Sequence, residues 1–302
     1  MAAATTTGPE GSRPLGRRAS AFLFRHRGAQ LGFTLGPTLA WMAVIYLFSL
    51  AVLLVSSFWQ VNPLTSETEH IWGLQNYRTI LHGSVYWRIT FRTAMLATAV
   101  TLTDLVLAFP LAYYAARMAS DRVRNALLFA VVMPLWANYL VKVFAWKTML
   151  DGSGPVAALF GIFGWHPELG TSIYAVWITL SYLWLPYVIL PIFAALERVP
   201  TSFLEASEDL GARSGRTFRK VVVPLVFPGI VAASIFSFSL TLGDYITVSL
   251  VGKTILLGNT IDALAGGTAH NQPLAAALAM IPIAIMAIYL LVARALGAFE
   301  AL

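Results

Sequence analysis

The stretch Glu205–Pro224 reads EASEDLGARSGRTFRKVVVP and interrupts an otherwise apolar chain. Thr201 or Ser202 is placed to cap a helix whose first turn holds Glu205, with further acidic residues near the positive end of the helix dipole. A glycine then ends that helix, and the basic segment Arg213–Lys220 leads back into apolar sequence. The stretch therefore predicts a helix, a glycine corner and a second short helix that lie at a membrane surface.

The spacing within this stretch resembles the EAA loop of ABC importer permeases, whose pattern is Glu-Ala-Ala, three residues, Gly, nine residues and then Ile-x-Leu-Pro. Ser207 replaces the second alanine of that pattern, and valines replace the Ile and the Leu. The resemblance implies that the loop docks in a groove of a separate ATPase chain and transmits its closure. The coupling residues that it implies are Glu205, Ala206, Ser207, Gly211, Arg213 and Pro224. The alternative is a solvated cytoplasmic linker with basic side chains that reach the membrane surface.

Composition assigns the chain to a membrane. Of its 302 residues, 58% are hydrophobic and only 11% are charged, which is too apolar for an ordinary soluble domain. The net charge of +6 would suggest nucleic acid in a soluble protein, but in a membrane protein Lys and Arg gather in cytoplasmic loops. The chain has no cysteine, and its five histidines form no H-x-x-x-H pair, so we predict neither a disulfide nor a metal site.

Six apolar segments reach the roughly 20 residues that a helix needs to cross a bilayer. They are Leu31–Ser57, Thr93–Ala116, Asn125–Met149, Ser172–Ala195, Val221–Leu242 and Pro273–Ala295. The sequence thus predicts an all-α, polytopic membrane protein with six transmembrane helices, and the resemblance implies the type I ABC importer permease fold. We expect a basic tail over residues 1–30, a transmembrane permease domain over 31–302 and, within it, a coupling loop over 198–220.

The basic residues also predict the orientation. Most Lys and Arg fall in the tail, in the turn Arg117–Arg124 and in the coupling loop, and such residues collect on the cytoplasmic side. An even number of spans brings both termini to one side. We therefore expect a multi-pass protein of the bacterial inner membrane with both termini in the cytoplasm.

Two carboxylates lie in or beside the predicted spans. Asp104 is near the middle of the second span, where a carboxylate costs several kcal/mol unless it faces protein or water, so we expect it to point inward. It either fixes helix packing or lines the pathway. Asp244 directly follows the fifth span in GDYITVSLVG.

That passage, together with PLWANYLVKVFAWKTML at Pro134–Leu150, resembles the spermidine/putrescine permeases, and the resemblance extends from about Tyr77 to Leu296. Polyamines carry several ammonium groups on an apolar chain, so a site for them needs carboxylates and aromatic faces. The candidate pathway residues are Asp244, Tyr245, Asp104, Trp136, Tyr139, Tyr182 and Trp184. Each aromatic also fits ordinary helix packing. Lys253 stands where the subfamily more usually has Gly.

The function that we expect is the membrane-spanning permease subunit of an ATP-driven importer of spermidine or putrescine. The resemblance implies a second homologous permease subunit, an ABC ATPase dimer and an extracytoplasmic substrate-binding protein as partners, besides membrane lipid and without nucleic acid. The chain has no G-x-x-x-x-G-K-[ST] motif, so we expect no catalytic residues and no cofactor in it, with ATP and Mg²⁺ bound by the ATPase.

Two alternatives remain at this point. The same class of importer would serve another small solute, such as an aminophosphonate, an opine or ferric ion. An ion-coupled secondary transporter would also have buried carboxylates and kinked helices, but it would typically show two repeated halves and has no use for a glycine-cornered polar loop.

Overall fold

The computed structural model describes residues 27–62, 65, 67–162, 169–266, 270–295 and 297, and these residues are mostly helical. The helices are α1 Arg27–Ser56, α2 Gln75–His82, α3 Ser84–Arg117, α4 Asp121–Trp136, α5 Tyr139–Leu150, α6 Pro155–Gly161, α7 Ile173–Glu197, α8 Thr201–Asp209, α9 Ser214–Thr217, α10 Val223–Gly243, α11 Ile246–Val251, α12 Leu257–Ala265 and α13 Gln272–Ala295. Two short strands, β1 Gln60–Val61 and β2 Thr68–Glu69, pair antiparallel.

Helix α1 forms a unit of its own. It begins at Arg27 rather than at the predicted Leu31, so the end of the predicted basic tail is already helical. Residues 1–26 of that tail lie outside the described residues. The stretch Leu35–Ser56 has 22 residues, which at about 1.5 Å per residue matches the roughly 30 Å hydrocarbon core of a bilayer.

Four more helical segments in the second unit are long and apolar enough to cross a membrane, and they confirm the second, fourth, fifth and sixth predicted spans. They are Ser84–Arg117, Ile173–Glu197, Ser214–Gly243 and Gln272–Ala295. The fifth differs from its prediction. Helix α9 continues through a π-helical turn, Phe218–Val222, into α10, so the second short helix of the predicted loop is the beginning of the fifth span.

The third predicted span, Asn125–Met149, is not one continuous helix. Helices α4 and α5 meet at a bend of 97°, and together they count as one broken span or as a re-entrant segment. Pro134 lies in the last turn of α4, where it donates no backbone hydrogen bond and its ring presses on the preceding turn. Asn138 then caps α5, because its Oδ1 accepts a hydrogen bond from the backbone N of Leu140 at 2.9 Å. The described residues thus hold five candidate spans, or six with this bent pair.

Helices α3, α7 and α10 pack closely against one another. Ala108 and Ala112 of α3 share one buried cluster with Val188 and Ile192 of α7 and with Val226 of α10. Small residues one turn apart let helix backbones approach closely, which is how helices associate where lipid removes the hydrophobic driving force. This three-helix packing holds the elements that carry the polar residues discussed below.

The contact of α7 with α10 depends on Gly229. A Cβ added there would lie 2.3 Å from the Cβ of Ala195 and 3.3 Å from the carbonyl O of Pro191. We predict that Gly229→Ala destabilises the protein by about 1–3 kcal/mol through overpacking, although alanine is the better helix former. Thermal unfolding in detergent measures the effect. Gly243→Ala in the same helix is the control, because nothing lies within 4 Å of its added Cβ; equal melting temperatures of the two variants would contradict the prediction.

Candidate functional site

The polar stretch begins with α8, whose start differs from the prediction. Pro200 occupies the N-cap position at φ −64° and ψ 137°, and no side chain caps the helix, so the predicted cap at Thr201 or Ser202 is wrong. Because the helix then begins at Thr201, Glu205 lies in its second turn and not in its first. The side chains of Glu205 and Ala206 are exposed, so both are accessible to another chain.

Gly211 ends α8, as predicted, in a Schellman motif. The backbone N of Gly211 donates to the carbonyl O of Glu208 at 2.8 Å, and the N of Ala212 donates to that of Ser207 at 3.0 Å. Gly211 has φ +74°, a left-handed conformation that only glycine adopts without strain. Nothing lies within 4 Å of a Cβ added there, so the requirement for glycine comes from the backbone and not from space.

A side-chain hydrogen bond closes the corner. The hydroxyls of Ser207 and Thr217 lie 2.8 Å apart and join α8 to α9. Thr217 is buried, and Ser207 stands where the family pattern has alanine. Arg213 has an exposed side chain and occupies the N-cap position of α9. Pro224 lies in the first turn of α10, directly after the π-helical turn.

Helix α3 contacts the chain just before the polar stretch and again near the end of the stretch. The Nη2 of Arg117, the last residue of α3, donates to the carbonyl O atoms of Leu196 and Val199, each at 2.5 Å. Leu196 lies in the last turn of α7 and Val199 directly follows the helix, where backbone carbonyls lack the regular intrahelical partners. At the other end, the ring of Phe218 meets the rings of Phe109 and Tyr113 edge-on, with centroids 5.6 and 5.7 Å apart.

The sequence analysis used Arg117 only for orientation, and no feature of the sequence distinguishes it from the other basic residues of its turn. Its partners, the carbonyl groups of Leu196 and Val199, lie 79 and 82 residues further along the chain. The structure therefore adds Arg117 to the residues that position the polar stretch.

Asp244 lies at the opposite end of α10 and joins three elements. Its Oδ1 accepts a hydrogen bond from the backbone N of Thr247 at 2.8 Å, which caps α11. Its Oδ2 accepts from the hydroxyl of Thr247 at 3.2 Å and also from the hydroxyl of Tyr139 at the start of α5. Thr247 was missed in the sequence analysis, although an aspartate three residues before a backbone N–H at a helix start is a recognised capping arrangement.

An aromatic wall stands beside this carboxylate. The rings of Tyr139 and Trp184 are nearly parallel, at 20°, with centroids 6.1 Å apart. These two residues line a cleft of about 310 Å³ together with Gly243, Asp244 and Tyr245. The structure thus brings together four of the seven predicted pathway residues, from α5, α7 and the segment after α10.

The other three predicted pathway residues lie elsewhere. Trp136 is 81% exposed at the end of α4, on the other side of the bend from Tyr139. Tyr182 packs against Trp146 with centroids 5.2 Å apart. Asp104 is fully buried, and its Oδ2 accepts a hydrogen bond from the hydroxyl of Ser237 at 2.6 Å, which ties α3 to α10. This bond is the helix-packing contact that the sequence analysis weighed for Asp104.

Within the part of the chain that the structure describes, no three His, Asp or Glu side chains cluster as metal ligands. The two arrangements that stand out are therefore an exposed polar stretch anchored on α3 and a cleft with one carboxylate and three aromatic rings.

Comparison with known proteins identifies the scaffold that carries both arrangements. The family described as "Binding-protein-dependent transport system inner membrane component" matches residues 108–301, a range that includes the polar stretch and the cleft. The chain belongs to this family. It is a permease subunit of the ABC importer class and a multi-pass membrane protein, as the sequence predicted.

Individual relatives agree with this membership. The inner membrane ABC transporter permease protein YdcU of Escherichia coli strain K12 is 39% identical over 306 residues, which cover 96% of this chain and 97% of YdcU. The spermidine/putrescine transport system permease protein PotB of Salmonella typhimurium strain LT2 is 28% identical over 229 residues, which cover 74% of this chain and 79% of PotB.

A solved structure shares the fold. A chain of a bacterial alginate ABC transporter, in complex with alginate pentasaccharide-bound periplasmic protein, superposes with a TM-score of 0.71 and covers 91% of this chain and 96% of that chain at 16% identity. At this identity the likeness concerns the fold alone. It confirms the predicted all-α permease fold.

Proposed function

We propose that this permease subunit forms the translocation pathway for a polyamine such as spermidine or putrescine, with the Asp244 cleft as a contact point for an ammonium group. The observation that carries this proposal is the carboxylate of Asp244 beside the rings of Tyr139, Trp184 and Tyr245 in one cleft. An ammonium group is attracted both by a carboxylate and by aromatic faces, by about 0.5–2 kcal/mol for each cation–π contact.

The carboxylate lines the cleft, although Thr247, Tyr139 and the backbone of Ile246 already donate hydrogen bonds to it, so the attraction that it offers an ammonium group is mainly that of its charge. The likeness to the spermidine/putrescine permease PotB supports a polyamine, whereas the name of YdcU states no substrate.

One observation favours the second candidate, import of another small solute such as an aminophosphonate, an opine or ferric ion. The hydrogen bonds of Asp244 already give it a structural task, since they cap α11 and hold it against α5. On that account the carboxylate stabilises the fold of this chain, and its presence does not indicate the charge of the substrate.

The proposed assembly contains a second homologous permease, an ABC ATPase dimer that binds ATP and Mg²⁺, and an extracytoplasmic binding protein. In it, residues 198–220 are the coupling loop of the permease domain, and Glu205, Ala206, Ser207, Gly211, Arg213 and Pro224 form or shape the surface that the ATPase contacts. Three features support this role: the exposure of Glu205, Ala206 and Arg213, the closed corner, and the attachment of both loop ends to α3.

The proposed orientation places both termini and the coupling loop in the cytoplasm. Because the chain has no cysteine, single introduced cysteines report topology without background. We predict that an impermeant thiol reagent labels Ser214→Cys only from the cytoplasmic side and Gly152→Cys only from outside, as both positions are exposed. The reverse labelling would overturn the orientation.

For the coupling loop, we predict that Gly211→Val lowers transport by about tenfold, because a β-branched residue at φ +74° costs on the order of 1–2 kcal/mol and opens the corner. Uptake by the assembled transporter in proteoliposomes measures the loss. Gly211→Asn should lose less, since Asn tolerates this conformation. The control is Gly215→Val in the same loop, where φ is not positive and the surrounding space is open; a loss as large there as at Gly211 would argue against the strained corner.

For the cleft, we predict that Asp244→Asn lowers uptake of spermidine and putrescine at limiting concentration by about tenfold, with assembly intact. Asn keeps the acceptor for the backbone N of Thr247 but removes the charge that attracts an ammonium group. Asp262→Asn, an exposed carboxylate on α12, is the matched control and should leave uptake unchanged. If Asp244→Asn imports polyamines like the wild type, the carboxylate is structural, and the second candidate gains.

A further inference from the structure

An apolar groove with two arginines at one end runs between α3 and α7. Phe91, Met95 and Ala99 of α3 face Ile173 and Trp177 of α7 across a cleft of about 340 Å³, and Arg88 and Arg92 also line it. Phe91 and Met95 are exposed, at 67% and 57%, so the groove is open at the surface of the described chain. It shares no lining residue with the Asp244 cleft.

The groove continues along the same two helices. Trp177 lines a second apolar cleft of about 420 Å³, together with Thr103 and Leu107 of α3 and Leu185 of α7. From Arg92 to Leu107 the helix rises about 22 Å at 1.5 Å per residue. One leaflet of a bilayer contributes about half of a hydrocarbon core of roughly 30 Å, so the groove is long enough to hold an extended acyl chain.

Among the residues that the structure describes, no acidic side chain forms an ion pair with either arginine. Arg88 and Arg92 are four residues apart on α3, hence on one face of the helix, and both are exposed. In the described ranges of the chain the ion pairs belong to Arg124, and neither Arg88 nor Arg92 donates a side-chain hydrogen bond. Two like charges at this spacing repel slightly, so an anion between them would relieve the repulsion as well as bind.

We propose that this groove binds an anionic phospholipid, with its phosphate held by Arg88 and Arg92 and one acyl chain along the trough towards Leu107. A guanidinium matches phosphate oxygens in a bidentate geometry, which favours a phosphate over a chloride ion. The apolar trough that starts directly below the charges distinguishes a lipid from a free phosphate, which would gain nothing from it. A second protein chain seated here would have to present an acidic group at the same place.

Native mass spectrometry of the purified transporter complex tests the proposal, with phosphatidylglycerol, phosphatidylcholine and inorganic phosphate as probes. We expect the wild type to retain phosphatidylglycerol about 25-fold more than phosphatidylcholine, since each of the two arginines adds on the order of fivefold to the affinity for an anionic lipid. The variant R88Q/R92Q should lose this preference, and R88K/R92K should keep most of it. R78Q/K253Q removes the same amount of charge from exposed positions outside the groove and should keep the preference fully.

A second variant tests the trough separately from the charge. Ala99→Phe fills the groove without changing any charge and should lower retention of both lipids by a similar factor. Equal retention of the two lipids by the wild type, or an unchanged preference in R88Q/R92Q, would overturn the proposal. Displacement of phosphatidylglycerol by inorganic phosphate at equal concentration would also overturn it, because it would indicate a site for a free anion. So would efficient cross-linking of Met95→Cys to another subunit, because it would show that protein covers the groove.

Discussion

A backbone N–H or C=O group without a partner costs several kcal/mol in a bilayer, and the helix interruptions described above each provide such partners. The unpaired backbone groups at these helix ends find different partners. Asn138 caps α5 at the bend, Asp244 caps α11 after the fifth span, and Arg117 supplies donors to the end of α7. Gly211 ends α8 with backbone bonds alone. Polar side chains or a glycine thus stand at each of these helix ends.

This placement explains why the candidate functional residues are also structural ones. Asp244 holds α11 against α5 through Tyr139, and the same carboxylate faces a cleft walled by aromatic rings. Ser207 closes the corner of a loop whose neighbours Glu205 and Ala206 are exposed for contact. A residue that must cap a helix cannot easily be replaced, so a change in specificity is easier to obtain at the aromatic wall than at the carboxylate.

Much of the fold could be predicted from the sequence, because a run of about 20 apolar residues leaves a chain little choice but a spanning helix. The corner at Gly211 could be predicted as well, because a helix often ends at a residue in the left-handed conformation and glycine adopts that conformation without strain. The break between Trp136 and Tyr139 could not be predicted. The apolar pattern runs through it, and Pro134 alone predicts a kink rather than a bend of 97°. That bend is why Trp136 and Tyr139, three residues apart, face different surroundings. The meeting of Tyr139 with Asp244 spans 105 residues of sequence and is decided by tertiary packing alone.

The closed corner of the polar stretch has a mechanical consequence. Its two Schellman bonds and the bond between Ser207 and Thr217 brace the connection between α8 and the start of the fifth span. A displacement of α8 would therefore be passed to α9 through this bond, and from there to α3 through the ring contacts of Phe218, more directly than by a corner without the bond.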